Sequence, residues 1–394
     1  MNKNKQKGAA LIVYALIFAI AATAFLVSRL DATDINILRD RKTAIALAEA
    51  KTALIGAVIS TSNIANPAYL PNPDLKLSAA IPEGSESGLA GAVDISLVGK
   101  LPWRSLGISP LKDGYSECLW YLVSGRYKSS PSTSILNWDT PGQITVIDGN
   151  GNTLANNLVA LIISSGALLS AQNRQTVAAD TPQCGGNYDA RNYLDSYNTA
   201  DAVAGEVNYF AGSTNNRQSA NANDKKFVLS KSDFYNDQFV FVTRDDIFLP
   251  LIQRSDFPLQ INSFLDDVEF KNHLQSVVVA GSKGIDNINC SSVVTNVNNK
   301  IFCDNWKEML LLTELPMPSP ILIDGVPTAV CSRVVIFGGQ RTGAQLRLTA
   351  SDKINPANYL EGVNLVAFNT PNNDFSGVST FDAANASADI LRCL

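Results

Sequence analysis

Three groups of residues in this chain have types and spacings that could support chemistry. Arg244, Asp245 and Asp246 form a dense charge cluster. Paired carboxylates do acid and base work when held about 5 to 10 Å apart on facing walls, but neighbours in a strand point to opposite faces. Asp245 and Asp246 are therefore expected at a helix N-terminal turn, where the dipole favours negative charge. Asp148, Asn150 and Asn152 have the alternating oxygens that open a calcium loop, yet no acidic residue stands at the late position such a loop needs. Asp148-Gly149-Asn150-Gly151 is expected to turn a hairpin instead. Finally, Arg174 and Arg347 each follow an expected buried strand by a few residues and could grip a carboxylate bidentately. The alternative is structural, each arginine tying its own loop to Asp180 or Asp195 in one case and to Asp352 or Glu361 in the other.

Other chemistries lack their residues. His273 is the only histidine, and its place on a partly apolar helical stretch suits packing or surface better than a ligand or base. The six cysteines, Cys118, Cys184, Cys290, Cys303, Cys331 and Cys393, contain no C-x-x-C pair, so zinc and thioredoxin-like readings fail. No G-x-S-x-G, H-E-x-x-H or P-loop pattern occurs. The sequence thus names no catalytic group, no metal and no cofactor, and an enzyme is disfavoured. A net charge of −5 offers no basic stripe, so nucleic acid is not an expected partner.

The elements that position these residues begin with an apolar run. No charge occurs from Gly8 to Ser28, and some twenty apolar residues span roughly 30 Å as a helix, enough to cross a bilayer. Lys3, Lys5 and Lys7 precede it and mixed charges follow from Arg29, which leaves the N-terminus cytoplasmic and the bulk outside. A cleaved signal peptide, with Ala22-Thr23-Ala24 as its processing site, is the rival reading. Beyond the run, Ile35, Leu38, Ile45, Ala48, Ile55 and Ile59 recur at helical spacing and predict an amphipathic stem to about Ser60. All six cysteines fall on the external, oxidising side and are expected as disulfides.

The basic peptide ending in Gly8, followed by this apolar helix, resembles the N-terminus of type IV pilins and type II secretion pseudopilins. The resemblance implies cleavage after Gly8 by a prepilin peptidase, methylation of Ala9, and a fibre-assembly helix in which Ala10, Leu11, Ile12 and Val13 contact other subunits. Val13 stands where most members carry Glu, which implies a minor, tip-type subunit. The words ALAEAKTALIG, LPWRSLGI, LKDGYSECLWYLVSG and ILNWDTPG resemble a group of pilin-like proteins of Gram-negative bacteria over roughly residues 1 to 255.

The C-terminal third repeats the middle. ITVIDG at Ile144, LVALIISSG at Leu158, AQNRQTVAAD at Ala171 and ARNYLD at Ala190 return in order as ILIDG, RVVIFGG, AQLRLTASD and ANYLEG. Cys118 with Trp120 further suggests Cys303 with Trp306 as a counterpart. The expected fold is α+β: a long N-terminal transmembrane and amphipathic helix packed on an antiparallel sheet, with a second related β-rich module. Its parts are a leader (1–8), transmembrane and stem helix (9–60), surface loop region (61–100), first module (101–255), helical connector (256–289) and second module (290–394). Six cysteines allow fifteen pairings and sequence does not choose among them; weighting by module suggests Cys118–Cys184, Cys290–Cys303 and Cys331–Cys393.

The functional expectation is a membrane-anchored minor subunit of a type IV pilus or type II secretion pseudopilus, acting in initiation or as a tip or adhesive cap. Its partners would be other pilin subunits, the prepilin peptidase, the bacterial inner membrane, and a surface or secreted ligand. The alternative is a periplasmic binding protein or adhesin tethered to the inner membrane that never enters a fibre. Loops at 64–100, 172–225 and 366–388 are the expected recognition surfaces.

Overall fold

The computed structural model describes residues 15–23, 32–60, 68–76, 80–88, 93–132, 135–170, 172–176, 182–195, 225–232, 235–286, 288–370 and 372–394. Gly8, Ala9, Ala10, Leu11, Ile12 and Val13 lie outside this set, as does much of the 172–225 loop. Residues 15–23 are helical, with Leu16, Ile17, Phe18 and Ile20 exposed.

Helix α1 (Ala32–Ser60) is the stem. Its stretch Asp34–Ser60 is long and apolar enough to cross a membrane by length and composition, although a third of the most apolar window is buried in the protein. The buried stripe is Thr43, Ala46, Leu47, Ala50, Leu54 and Val58. Ile35, Leu38 and Ile45, expected on the packed face, are instead 46, 64 and 58 % exposed. Close approach explains the change of face at the start of the stripe: Thr43, Ala46 and Ala50 are small, and a Cβ on Gly114 would stand 2.3 Å from the Arg39 carbonyl oxygen. The Gly114 N–H donates to Thr43 Oγ1 at 3.0 Å, and the Arg39 guanidinium lies over the Tyr115 ring.

The strands of the first half are β1 (Leu97–Lys100), β2 (Trp120–Val123), β3 (Ile144–Asp148), β4 (Thr153–Leu158), β5 (Ala160–Ser164), β6 (Lys225–Leu229) and β7 (Gln238–Val242). An antiparallel sheet runs β1-β2-β5-β7, and a second sheet runs β4-β3-β6 with β6 parallel to β3. Alternation sorts the first sheet's side chains: Tyr121, Val123 and Ile162 share a core with the stem, while Trp120, Leu122 and Ile163 meet Ile144, Val146 and Tyr193. The hairpin at Asp148 forms as expected. Asp148 Oδ1 accepts the Asn150 and Asn152 N–H groups at 2.8 Å, and Gly151 supplies the positive φ. The 61–100 stretch is irregular where described before β1, yet packed, with Leu70, Asn72 and Asp74 buried.

Five helices follow: α2 (Arg244–Ile252), α3 (Asp256–Leu265), α4 (Val268–Ser276), α5 (Cys290–Val293) and α6 (Val297–Trp306). Thr243 caps α2 in a reciprocal box with Asp246, the helix start expected for this cluster. Asp246 also pairs with Lys51 of the stem at 2.9 Å, and Arg254 donates to the Ile59 carbonyl near the stem's end. His273 sits half-buried in the last turn of α4.

The second half contains β8 (Leu310–Ser319), β9 (Leu322–Ile323), β10 (Val326–Pro327), β11 (Cys331–Phe337), α7 (Ala350–Lys353), α8 (Gly362–Asn369), β12 (Ser376–Gly377) and β13 (Ile390–Cys393). Its sheets run β13-β11-β8 and β10-β9-β12, with β12 parallel to β9. The topology repeats that of the first half: β2-β5-β7 corresponds to β8-β11-β13, and each half adds a hairpin with one parallel partner strand. Helices α3 and α6 cover the second main sheet, Phe302 and Trp306 lying against Phe337. Trp120 pairs with Ile163, and the corresponding position opposite Ile336 is Leu311. Cys303 and Trp306 lie on helix α6 and are therefore not counterparts of Cys118 and Trp120, which precede and begin a strand. The disulfides are Cys118–Cys184, Cys290–Cys303 and Cys331–Cys393, the pairs suggested by the modules.

Candidate functional site

The two repeated arginines sit in matching cradles. Arg174 donates to the carbonyls of Asn192 at 3.0 Å and Gly166 at 2.9 Å, to Gln172 Oε1 at 2.7 Å, and lies over the Tyr193 ring. Arg347 donates to the carbonyls of Asn358 and Gly339, to Gln345 Oε1 at 3.2 Å, and lies over Tyr359. A buried lysine approaches each tyrosine ring as well, Lys100 at 5.8 Å and Lys283 at 4.0 Å, and burial pulls both ammonium groups down to a pKa of about 8. These arginines knit loops together and are not presented to a ligand. Among the described residues their carboxylate contacts are Glu117, 3.6 Å from Arg174, and Asp139, 3.0 Å from Arg347. Asp352 serves α7 as a capping box with Thr349, Glu361 accepts from Gln345, and Asp180 lies outside the described residues.

Asp139 belongs to the first half, so its pairing with Arg347 joins the halves. The preceding residues do the same. Asn137 donates to the Asn305 carbonyl at 3.0 Å, and Trp138 enters the aromatic centre of the second half, with its ring 4.7 Å from Trp306, 5.8 Å from Phe381 and 6.2 Å from Phe337. The ILNWDTPG word is thus a plug between modules.

Where the plug meets solvent, a polar cleft opens along the seam. One lobe of about 190 Å³ is lined by Asn156, Asn157, Thr243, Arg244, Asp245 and Arg341 among others. An adjoining lobe of about 170 Å³ shares Arg244, Asp245 and Arg341 and reaches Trp138, Asp139 and Gln340. The residues come from the end of β4, the start of α2 and the loop after β11, which sequence alone does not bring together.

No family model, curated protein or solved structure matches this chain. Arg244 is held by Asp245, with Nε and one terminal nitrogen about 3 Å from the same carboxylate oxygen. Among the described residues, Arg341 meets only Asp139, loosely, at 3.9 Å from Nε. Asp139 is already committed to Arg347 at 3.0 Å, and this pair is almost wholly buried. Donor capacity is left over on both arginines that line the cleft. Arg244 was visible in the sequence only as part of a charged cluster, and Arg341, after Gly338-Gly339-Gln340, carries no signal of its own.

Proposed function

We propose that this chain is a membrane-anchored, pilin-like minor subunit that acts at a fibre tip or in fibre initiation, and that it performs no catalysis. The observation that carries this reading is the uncovered apolar surface on the N-terminal helices. Leu16, Ile17 and Phe18 in the first helical stretch and Ile35, Ile37, Leu38 and Ile45 in α1 are all exposed, while α1 turns Ala46, Leu47, Ala50, Leu54 and Val58 into the core. Exposed apolar side chains in such number call for lipid or a partner surface. Residues 9–28 crossing the inner membrane, with the N-terminus cytoplasmic, would supply the first cover and neighbouring pilin helices the second. The leader ending at Gly8 and the stem-and-sheet packing agree with it, and a doubled soluble part suits a terminal place better than a repeated one.

The second reading, a tethered periplasmic binding protein, is favoured by the polar cleft at the module seam. It differs in leaving Gly8 uncut. Intact mass and N-terminal sequence of protein from membranes, with and without the prepilin peptidase, separate the two. A methylated Ala9 start that depends on that enzyme supports the subunit reading, whereas a retained Met1 or a cut near Ala24 overturns it.

A further inference from the structure

We propose that the cleft between Arg244 and Arg341 binds an acidic monosaccharide unit, one sugar ring bearing a carboxylate. The inference deepens the tip or binding reading by naming its ligand class, but a binding measurement does not depend on whether the chain enters a fibre.

Although the chain as a whole carries −5, the cleft is locally positive. Arg126 donates to the Pro141 carbonyl at its rim, and Arg244 and Arg341 line it. Against these three guanidiniums stands Asp245, since Asp139 is neutralised by Arg347. A carboxylate entering here meets the terminal donors of Arg341 and the Arg244 terminal nitrogen that Asp245 leaves unengaged, charge-assisted donors of the kind that hold carboxylates strongly.

The rest of the lining argues for hydroxyl groups beside that carboxylate. Asn156, Asn157 and Gln340 surround the arginines with amide groups that both donate and accept. An aspartate or glutamate side chain would satisfy the arginines and leave these groups to water. A sugar ring carries hydroxyls at the spacing to meet them, and the exposed Leu249 side chain in the adjoining lobe offers an apolar patch for its C–H face. The larger lobe, about 190 Å³, has room for about six water molecules, which suits a single ring and not a folded peptide.

The test titrates glucuronate, glucose, acetate and an Asp-Asp dipeptide into the full chain in detergent, followed by calorimetry. Glucuronate should bind saturably with a dissociation constant of about 1 mM, at least about tenfold tighter than the other three. Arg341→Ala should weaken it at least about tenfold, and raised salt should weaken it too. Asn156→Asp, which adds a negative charge on an exposed side chain and leaves both arginines in place, should abolish it. Equal affinity for glucose or acetate, or unchanged glucuronate binding in folded Arg341→Ala and Asn156→Asp proteins, overturns the proposal. Binding of the dipeptide in place of glucuronate reassigns the cleft to acidic peptides and overturns it equally. Absence of any saturable binding does so outright, whatever the N-terminus proves to be.

Discussion

Asp139 and Arg347 lie 208 residues apart in the chain, yet their side chains meet at 3.0 Å and are 3 % and 1 % exposed. The pair is the electrostatic half of a joint whose apolar half is Trp138. Removing one member leaves the other charged and buried, which costs about 3 to 5 kcal/mol. Asp139→Ala and Arg347→Ala are each expected to destabilise by that order, and the double variant by much less than their sum. Denaturant unfolding of the four proteins of the cycle measures the coupling.

Gly114 is a tighter constraint than its place in a loop suggests. Because a Cβ there would meet the Arg39 backbone at 2.3 Å, Gly114→Ala must push the stem away from the sheet. A loss of about 1 to 3 kcal/mol is expected, the usual cost of overpacking. It should appear as a lowered thermal midpoint, with faster proteolysis of α1.

Acidity should stabilise the protein through its buried carboxyls. Burial raises the Asp389 pKa to about 7, against acceptance of a hydrogen bond from Asn364. In the first half, Asp195 and Asp237 accept each other's backbone N–H groups at 2.6 and 2.8 Å, and burial raises both. A folded-state pKa above the unfolded value of about 4 means that the folded state holds protons more tightly. That contribution is present at low pH and is lost as pH rises from about 4 toward 7. Thermal melts should therefore fall over this window, and Asp389→Asn should flatten part of the slope while keeping a carbonyl oxygen for Asn364. A slope unchanged by that substitution would remove Asp389 from the account.

Cys331–Cys393 ties the first residue of β11 to the last of β13 across a sequence separation of 62. Replacing both by serine should cost about 2 to 4 kcal/mol, chiefly by freeing the unfolded chain. Non-reducing peptide mapping should recover the three linkages, and any crossed linkage between halves would contradict the arrangement.

Much of the local structure is legible in the residues. Asp148-Gly149-Asn150-Gly151 forms the hairpin, Thr243 with Asp246 starts a helix, and residues 256–276 form two of the connector's helices, because turns, caps and periodicity act within a few residues. The matching cradles of Arg174 and Arg347 are legible as a repeated word, but their partners are not. A guanidinium satisfied by loop carbonyls leaves no signature in side-chain types. The stem's face is misread for a related reason: periodicity picks out bulky Ile35, Leu38 and Ile45, whereas a backbone pressed against Gly114 selects Thr43, Ala46 and Ala50. The seam cleft is illegible altogether, since Asn156, Arg244 and Arg341 share no period, motif or neighbourhood until the fold unites them.

The Trp138 plug also sets an order of events. The second half's aromatic centre is completed by a side chain synthesised more than a hundred residues before Phe302, Trp306 and Phe337. As the chain emerges from its N-terminal end, the key exists before the lock. The C-terminal half expressed alone would therefore lack the residue that completes its aromatic centre.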